Sequence, residues 1–275
     1  MIGSPKLLQA IYEKLLNRGE ETLRNCLTNW EGQDGFECVY GALFELYCHR
    51  MIESSNGDKP LNMRMVFRSN NKNGKTIQVK LPQTSGTSRF KSNDPAILGE
   101  DQHEEAVTTL DKYHRPISRN FPTYDSVFFF EGKHFGVDKL KTKKIMLLLQ
   151  MTVSGATGLP CRPDHSIKQH IRKKFKAVFN EKIPGFKEKG EAYTAFMVPT
   201  ECFKPFLFQE EKTTSDSVAK VGQPEFQLVF GVPDAFHYKK DHREGKSMQR
   251  MSFLLVNGGR CSMIMMLRFA RLECL

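Results

Sequence analysis

Three polar side chains have the types and positions that metal-dependent phosphodiester chemistry needs. Asp125 opens a strand predicted over residues 126–130, and Gln150 lies near the end of an apolar strand predicted over 145–153. Glu45 lies on the apolar face of a predicted helix, where a carboxylate without a partner would be costly. Carboxylate and amide oxygens are ligands for hard divalent cations, so these three side chains are candidate ligands of Mg²⁺ or Mn²⁺.

Each of these side chains also has a purely structural interpretation. Glu45 would form a salt bridge, for example with Arg64 of the next predicted strand. Asp125 would bond backbone amides where the chain enters a strand, and Gln150 would act as a hydrogen-bonding residue at a strand end. The sequence alone leaves both interpretations open.

Two further candidates lie at the start of a helix predicted over residues 165–180. Lys168 is the candidate catalytic residue, because a lysine there could hold the attacking water or neutralise the phosphate in the transition state. His165 is a candidate contact to nucleic acid. The alternatives are a hydrogen bond at the helix start for His165 and simple solvation for Lys168.

The positive charge of the chain is concentrated in one segment. The formal net charge is +10, from 41 Lys and Arg against 31 Asp and Glu. Residues 139–189 hold 13 of the basic and 3 of the acidic side chains, so the rest of the chain is neutral. This segment predicts a polyanionic partner, most simply DNA, bound through Lys144, Arg172, Lys173 and Lys176. The alternative is a solvated helix face.

Composition excludes several classes of protein. The seven cysteines are an odd number without a Cys-x-x-Cys pair, which argues against a disulfide framework or a zinc site and favours a reducing compartment. No apolar run approaches the roughly 20 residues of a membrane span, so no membrane partner is predicted. The N-terminal residues do not form a secretory signal.

Hydrophobic periodicity predicts the elements that position these residues. The run over 145–153 is almost continuously apolar, which is typical of a strand at the centre of a sheet covered on both faces. Residues 82–101 are rich in Ser, Gly, Pro and Asn and predict a loop. The elements alternate, which indicates an α/β sheet domain with helices on both faces. Helices are predicted over 5–19, 20–30, 35–52 and 165–180, and strands over 63–67, 76–81, 126–130, 145–153, 192–198 and 226–232, with a terminal hairpin over 253–267.

Several short motifs occur in an order and spacing found in one group of proteins. They are Phe44-Glu45-x-x-x-His49, Tyr113-His114-Arg115-Pro116 to Asn120-Phe121-Pro122, Asp125-Ser126, Gln150-Met151-Thr152-Val153, His165-Ser166-Ile167-Lys168, and Val198-Pro199 followed by Phe203 and Phe206. In these motifs the chain resembles the C-terminal domain of Crinkler effectors and of trypanosome retrotransposon hot spot (RHS) proteins. The resemblance covers about residues 35 to 210.

The resemblance implies a fold and a domain division. The fold would be restriction-endonuclease-like, of the PD-(D/E)xK kind, with a mixed four-stranded core sheet between helices. Residues 1–33 would form an N-terminal helical segment, 34–210 the nuclease-like domain, and 211–275 a β-rich extension packed on the same domain. For Crinklers, the resemblance also implies secretion and delivery into a host cell, often to its nucleus.

The resemblance also implies roles for the candidate residues. Glu45 matches the acid of the first helix, Asp125 matches the metal-binding Asp, and Gln150 takes the place of the second acidic ligand, all around one pocket. The lysine of the motif should fall at Thr152, where it is absent. Two hypotheses follow: a divalent-metal nuclease acting on DNA, or an inactive nuclease-fold module that binds nucleic acid or a host nuclear protein. The charge distribution leaves a third open, a structural interaction protein whose basic face binds acidic partners.

Overall fold

The computed structural model describes residues 10–11, 13–14, 17, 37–54, 60–69, 74–90, 111–116, 124–135, 138–153, 169–213 and 222–232. The predicted helix over 20–30, the terminal hairpin, His165 and Lys168 lie outside these residues. Residues 10, 11, 13, 14 and 17 are helical, within the first predicted helix. The helices are α1 (Glu37–Ser54), α2 (Gln169–Lys182), α3 (Phe186–Lys189) and α4 (Thr200–Phe203). The strands are β1 (Pro60–Phe67), β2 (Ile77–Lys80), β3 (Gly86–Phe90), β4 (Lys112–Pro116), β5 (Ser126–Glu131), β6 (Lys144–Met151), β7 (Gly190–Pro199) and β8 (Phe226–Val232).

The described strands form one mixed sheet in the order β2-β1-β8-β7-β6-β5-β4-β3. The pairs β3–β4, β6–β7 and β7–β8 are parallel, and the other neighbours are antiparallel. The predicted α/β class is therefore confirmed. β8 lies between β1 and β7, so residues 226–232 belong to the central sheet together with strands of the predicted nuclease-like domain.

Strand β6 is at the centre of the sheet, as its apolar sequence predicts, and it divides the core into two faces. Ile145, Leu147 and Leu149 pack with buried side chains of α1 on one side, which we name the α1 face. Met146 and Leu148 pack with buried side chains of α2 on the other side, the α2 face. Side chains alternate along a strand, and both sets are apolar, so β6 requires cover on both faces.

The prediction of a loop over residues 82–101 is wrong in part, because this segment contains β3. Residues 86–90 pair in parallel with β4, which was itself identified only as a motif and not as a strand. β3 is the last strand on its side of the sheet. Backbone pairing with β4 defines it as a strand, even though its sequence, Gly-Thr-Ser-Arg-Phe, begins with a turn-favouring Gly and lies in a segment rich in Ser, Gly, Pro and Asn.

Candidate functional site

Helix α1 crosses the sheet near the ends of three neighbouring strands. A Cβ built on Gly41 would lie 3.8 Å from Val153 Cγ2, just beyond β6. Three turns later, Glu53 Oε1 lies 3.0 Å from Arg115 Nη1 of β4. Strand β5 runs between β6 and β4. The middle of the helix, including Glu45, therefore passes over the start of β5.

Asp125 lies under this part of the helix, directly before β5. Its backbone N–H donates to the carbonyl of Leu149 at 2.8 Å, and Leu149 is also the register partner of Ser126. Asp125 therefore stands outside the regular pairing of β5, and alternation along the strand does not set the direction of its side chain. Its charge acts on Cys48 of α1, so Asp125 faces the α1 face together with Ser126, and its Oδ2 accepts a hydrogen bond of 2.6 Å from the Met151 N–H.

Glu45 and Asp125 lie on the α1 face, where the charge of Glu45 acts on Asp125, and we name them the carboxylate pair. Burial raises the pKa of Asp125 well above its usual range and the negative charge of Glu45 raises it further, while the Met151 N–H and Arg115 act in the opposite direction. Burial also raises the pKa of the Cys48 thiol, as do the charges of Asp125 and Glu45. The side chain of Glu45 is 34% exposed, so this carboxylate is accessible from solvent. A proton or a cation at this position would relieve the repulsion between the two charges.

A chain of polar contacts connects Glu45 to the residue beside Asp125. His49 Nε2 lies 3.4 Å from Glu45 Oε1, and His49 Nδ1 lies 2.5 Å from the Tyr113 hydroxyl. The Tyr113 hydroxyl donates to Ser126 Oγ at 2.8 Å. Burial lowers the pKa of His49, against the opposing effect of Glu45, and burial raises that of Tyr113. Sequence reasoning placed His49, Tyr113 and Ser126 only within motifs and assigned them no role.

The structure does not bring Gln150 to this pair. Strands β5 and β6 are neighbours, as predicted. However, Gln150 alternates with Leu149 and Met151 of the α1 face, so its side chain, 5% exposed, is on the α2 face. The arrangement is therefore a pair of carboxylates in place of the predicted three-ligand pocket. Within the described part of the chain, no three His, Cys, Asp or Glu side chains are grouped as a metal site.

Arg64, the proposed structural partner of Glu45, is on the α2 face. It is 2% exposed and donates hydrogen bonds to the carbonyls of Phe203 and Phe206, both at 2.6 Å. These carbonyls belong to the end of α4 and the segment after it. The structure thus gives Arg64 a role in holding that segment against β1.

The predicted nucleic-acid contacts differ in their surroundings. Lys173 and Lys176 are exposed on α2, as predicted. Arg172 is largely buried and binds both carboxylate oxygens of Glu211, at 2.7 and 3.0 Å. Lys144 donates to the carbonyl of Pro184. The exposed lysines of α2 lie on the other side of the sheet from the carboxylate pair.

We expect Arg172→Met to lower the free energy of unfolding by about 3 kcal/mol, because it leaves a buried carboxylate without its cation. Glu211 is fully buried, and burial raises its pKa against the opposing effect of Arg172. Urea denaturation monitored by circular dichroism would measure the change. The matched control is Lys176→Met on the same helix, which should change stability by less than about 0.5 kcal/mol because Lys176 is exposed. Equal losses would contradict this role of Arg172.

Asp125→Asn should stabilise the metal-free protein at neutral pH. The folded-state pKa of Asp125 is raised, so its contribution to stability is greatest below the unfolded pKa of about 3.9 and is lost as the pH rises through the folded pKa. The Asn amide oxygen can still accept the Met151 N–H and does not titrate. Thermal unfolding in EDTA between about pH 4 and 8 should show the parent losing stability relative to the variant as the pH rises. Parallel pH profiles would refute the prediction.

Comparisons with known proteins give no relative for this chain. No family model matches the sequence, no curated protein matches it, and no solved structure matches the fold. Among the residues that the structure describes, no helix is long and apolar enough to cross a membrane.

Proposed function

We propose that this chain is a divalent-metal-dependent nuclease-like effector domain that acts on DNA in a host cell, most simply in the nucleus. The observation that carries the proposal is the Glu45–Asp125 pair, which joins an acid of α1 to an acid directly before β5. The resemblance to Crinkler and RHS proteins implies a metal-binding role for both residues, which supports the proposal.

The arrangement of elements around the pair supports a restriction-endonuclease-like fold. Strands β4, β5 and β6 form an antiparallel meander, and β7 follows α2 and pairs with β6 in parallel. These four strands make a mixed unit with α1 on one face and α2 on the other. A mixed four-stranded core between helices is what the resemblance implies, here inside a larger sheet.

The carboxylate pair suits Mg²⁺ or Mn²⁺. Magnesium in proteins is commonly held by one or two carboxylates and keeps several waters, so a pair without a third protein ligand is sufficient. The Met151 N–H fixes one oxygen of Asp125, and His49 lies beside Glu45. A bound ion would neutralise charge on a phosphodiester oxygen and lower the pKa of a bound water.

A second candidate function is a non-catalytic module that binds nucleic acid or a host nuclear protein. Two observations favour it. Thr152 stands where the motif lysine would be, and Gln150, the substitute for the second acidic ligand, faces away from the pair. In this second candidate function, the basic surface of α2 binds the partner and the protein cleaves no DNA.

Calorimetric titration of Mn²⁺ into the purified protein tests the proposed metal site. We expect the parent to bind the ion and both Glu45→Gln and Asp125→Asn to weaken binding by at least about tenfold, because each removes one of two charged ligands. Glu210→Gln is the control, since Glu210 makes an exposed ion pair with Arg68 at 3.7 Å. No binding by the parent, or equal binding by all four proteins, would refute the metal site.

A further inference from the structure

We propose that Arg115 binds a phosphate group of the nucleic acid beside the Glu45–Asp125 pair. The inference rests on the proposed function and adds a substrate-binding residue to the same site. A phosphodiester next to two carboxylates needs a cation on that side of the sheet. The exposed lysines of α2 are on the other side, and the motif position at Thr152 carries no charge.

Strand register places Arg115 next to the pair. Tyr113 of β4 pairs with Phe128 of β5, and His114 pairs with Val127. Arg115 follows this last pair, at the end of β5 that begins with Ser126. Ser126 directly follows Asp125. Tyr113 packs on the α1 face, and alternation places Arg115 on that face as well.

The contact with Glu53 confirms this orientation and leaves donors for a ligand. Arg115 Nη1 donates to Glu53 Oε1 of α1 at 3.0 Å, and the Arg115 side chain is 14% exposed. A guanidinium has five N–H donors in a planar fork that matches phosphate geometry. The bond to Glu53 engages one nitrogen, and the group therefore retains donors that can reach a phosphate.

The electrostatic effects of Arg115 agree with this position. Its charge acts on Asp125, His49 and Tyr113, lowering the pKa of each. These side chains belong to the α1 face, where the position of Arg115 on β4 and its contact with Glu53 already place the guanidinium. A phosphate held there would be close to a cation bound by Glu45 and Asp125.

The alternative is that Arg115 only forms a structural ion pair with Glu53. Two substitutions separate the roles, since Arg115→Ala and Glu53→Gln both break the ion pair but only the first removes the guanidinium. Fluorescence anisotropy with a labelled DNA duplex in Ca²⁺, which is not expected to support cleavage, measures binding without turnover. Thermal unfolding of each variant measures the structural effect separately.

We expect Arg115→Ala to weaken duplex binding by about tenfold, the value of one charge-assisted contact. Arg115→Lys keeps a positive charge without the planar guanidinium and should lose less affinity for the duplex. Glu53→Gln should bind the duplex as tightly as the parent or more tightly. Arg68→Ala, a control at an exposed ion pair, should have little effect. Equal losses in Arg115→Ala and Glu53→Gln, or no loss in Arg115→Ala, would overturn the inference, as would a parent that does not bind DNA.

The same proteins separate this inference from the proposed function. A parent that binds DNA through Arg115 but cuts in no metal refutes cleavage and leaves the phosphate contact standing. A parent that cuts DNA while Arg115→Ala binds and cuts equally well refutes the phosphate contact and leaves the nuclease standing.

Discussion

Asp125→Ala is expected to reduce DNA cleavage by at least about a thousandfold, because a metal ion contributes several kcal/mol of charge stabilisation and this change removes one of its two carboxylates. Gln150 cannot substitute, since it carries no charge and lies on the α2 face. Initial rates of cleavage of linear and plasmid DNA in Mn²⁺ would measure the loss.

The variant should keep its affinity for DNA within a few-fold, because the exposed lysines of α2 are on the other side of the sheet. Asp138→Ala is the matched control, because Asp138 is exposed and its Oδ1 lies 2.6 Å from Lys141 Nζ. The Asp138→Ala protein should cleave DNA at the rate of the parent. An Asp125→Ala protein that cuts as fast as Asp138→Ala would show that this site is not responsible for activity.

Reversing the charge of the exposed lysines on α2 is expected to weaken DNA binding by at least about a hundredfold at low salt. Each lysine that contacts a phosphate should also contribute about 0.9 to the slope of log affinity against log salt, so the reversal should flatten that slope. Arg172 stays unchanged, because its guanidinium is bound to buried Glu211. The triple variant is Lys173→Glu, Lys174→Glu and Lys176→Glu.

A control with the same change in net charge distinguishes a local surface from overall charge. Three exposed lysines outside the segment 139–189 provide it: Lys75→Glu, Lys80→Glu and Lys204→Glu. Anisotropy titrations of both triple variants over a range of salt concentrations make the comparison. If both weaken binding equally, net charge rather than the surface of α2 is responsible.

The elements predicted most accurately from the sequence are strands whose apolar side chains are buried in the core. β6 is a run of apolar side chains buried on both faces, and its central position follows from that run. Strands β1 and β2 coincide with two further predicted strands, over 63–67 and 76–81, and pair antiparallel with Met63 opposite Ile77. Burial dictates residue type at such positions, so the pattern can be read directly.

The candidate site was predicted less completely because one of its carboxylates stands outside the regular pairing of a strand. Alternation along β6 places Gln150 on the face of Met146 and Leu148. Asp125 precedes β5 and faces the opposite side, towards Glu45, so alternation along the strand does not describe it. The direction of a side chain outside the regular pairing depends on how the chain enters the sheet, and nothing in the local sequence around Asp125 specifies it.

Strands β3 and β4 were missed for a related reason. Their polar residues gave no alternating pattern, and β3 is a strand because it pairs with β4. The omission concealed Tyr113 and Arg115, which reach the site only because β4 lies beside β5. Contacts between distant segments therefore account for the part of the site that the sequence did not predict.

The most direct test of the proposed nuclease is incubation of the purified protein with supercoiled plasmid DNA in Mg²⁺ or Mn²⁺, and in parallel in EDTA. The Glu45–Asp125 pair predicts nicked and linear products with either metal and intact plasmid in EDTA. Plasmid that stays intact with every divalent metal, or cleavage that continues in EDTA, would contradict a metal-dependent nuclease at this site.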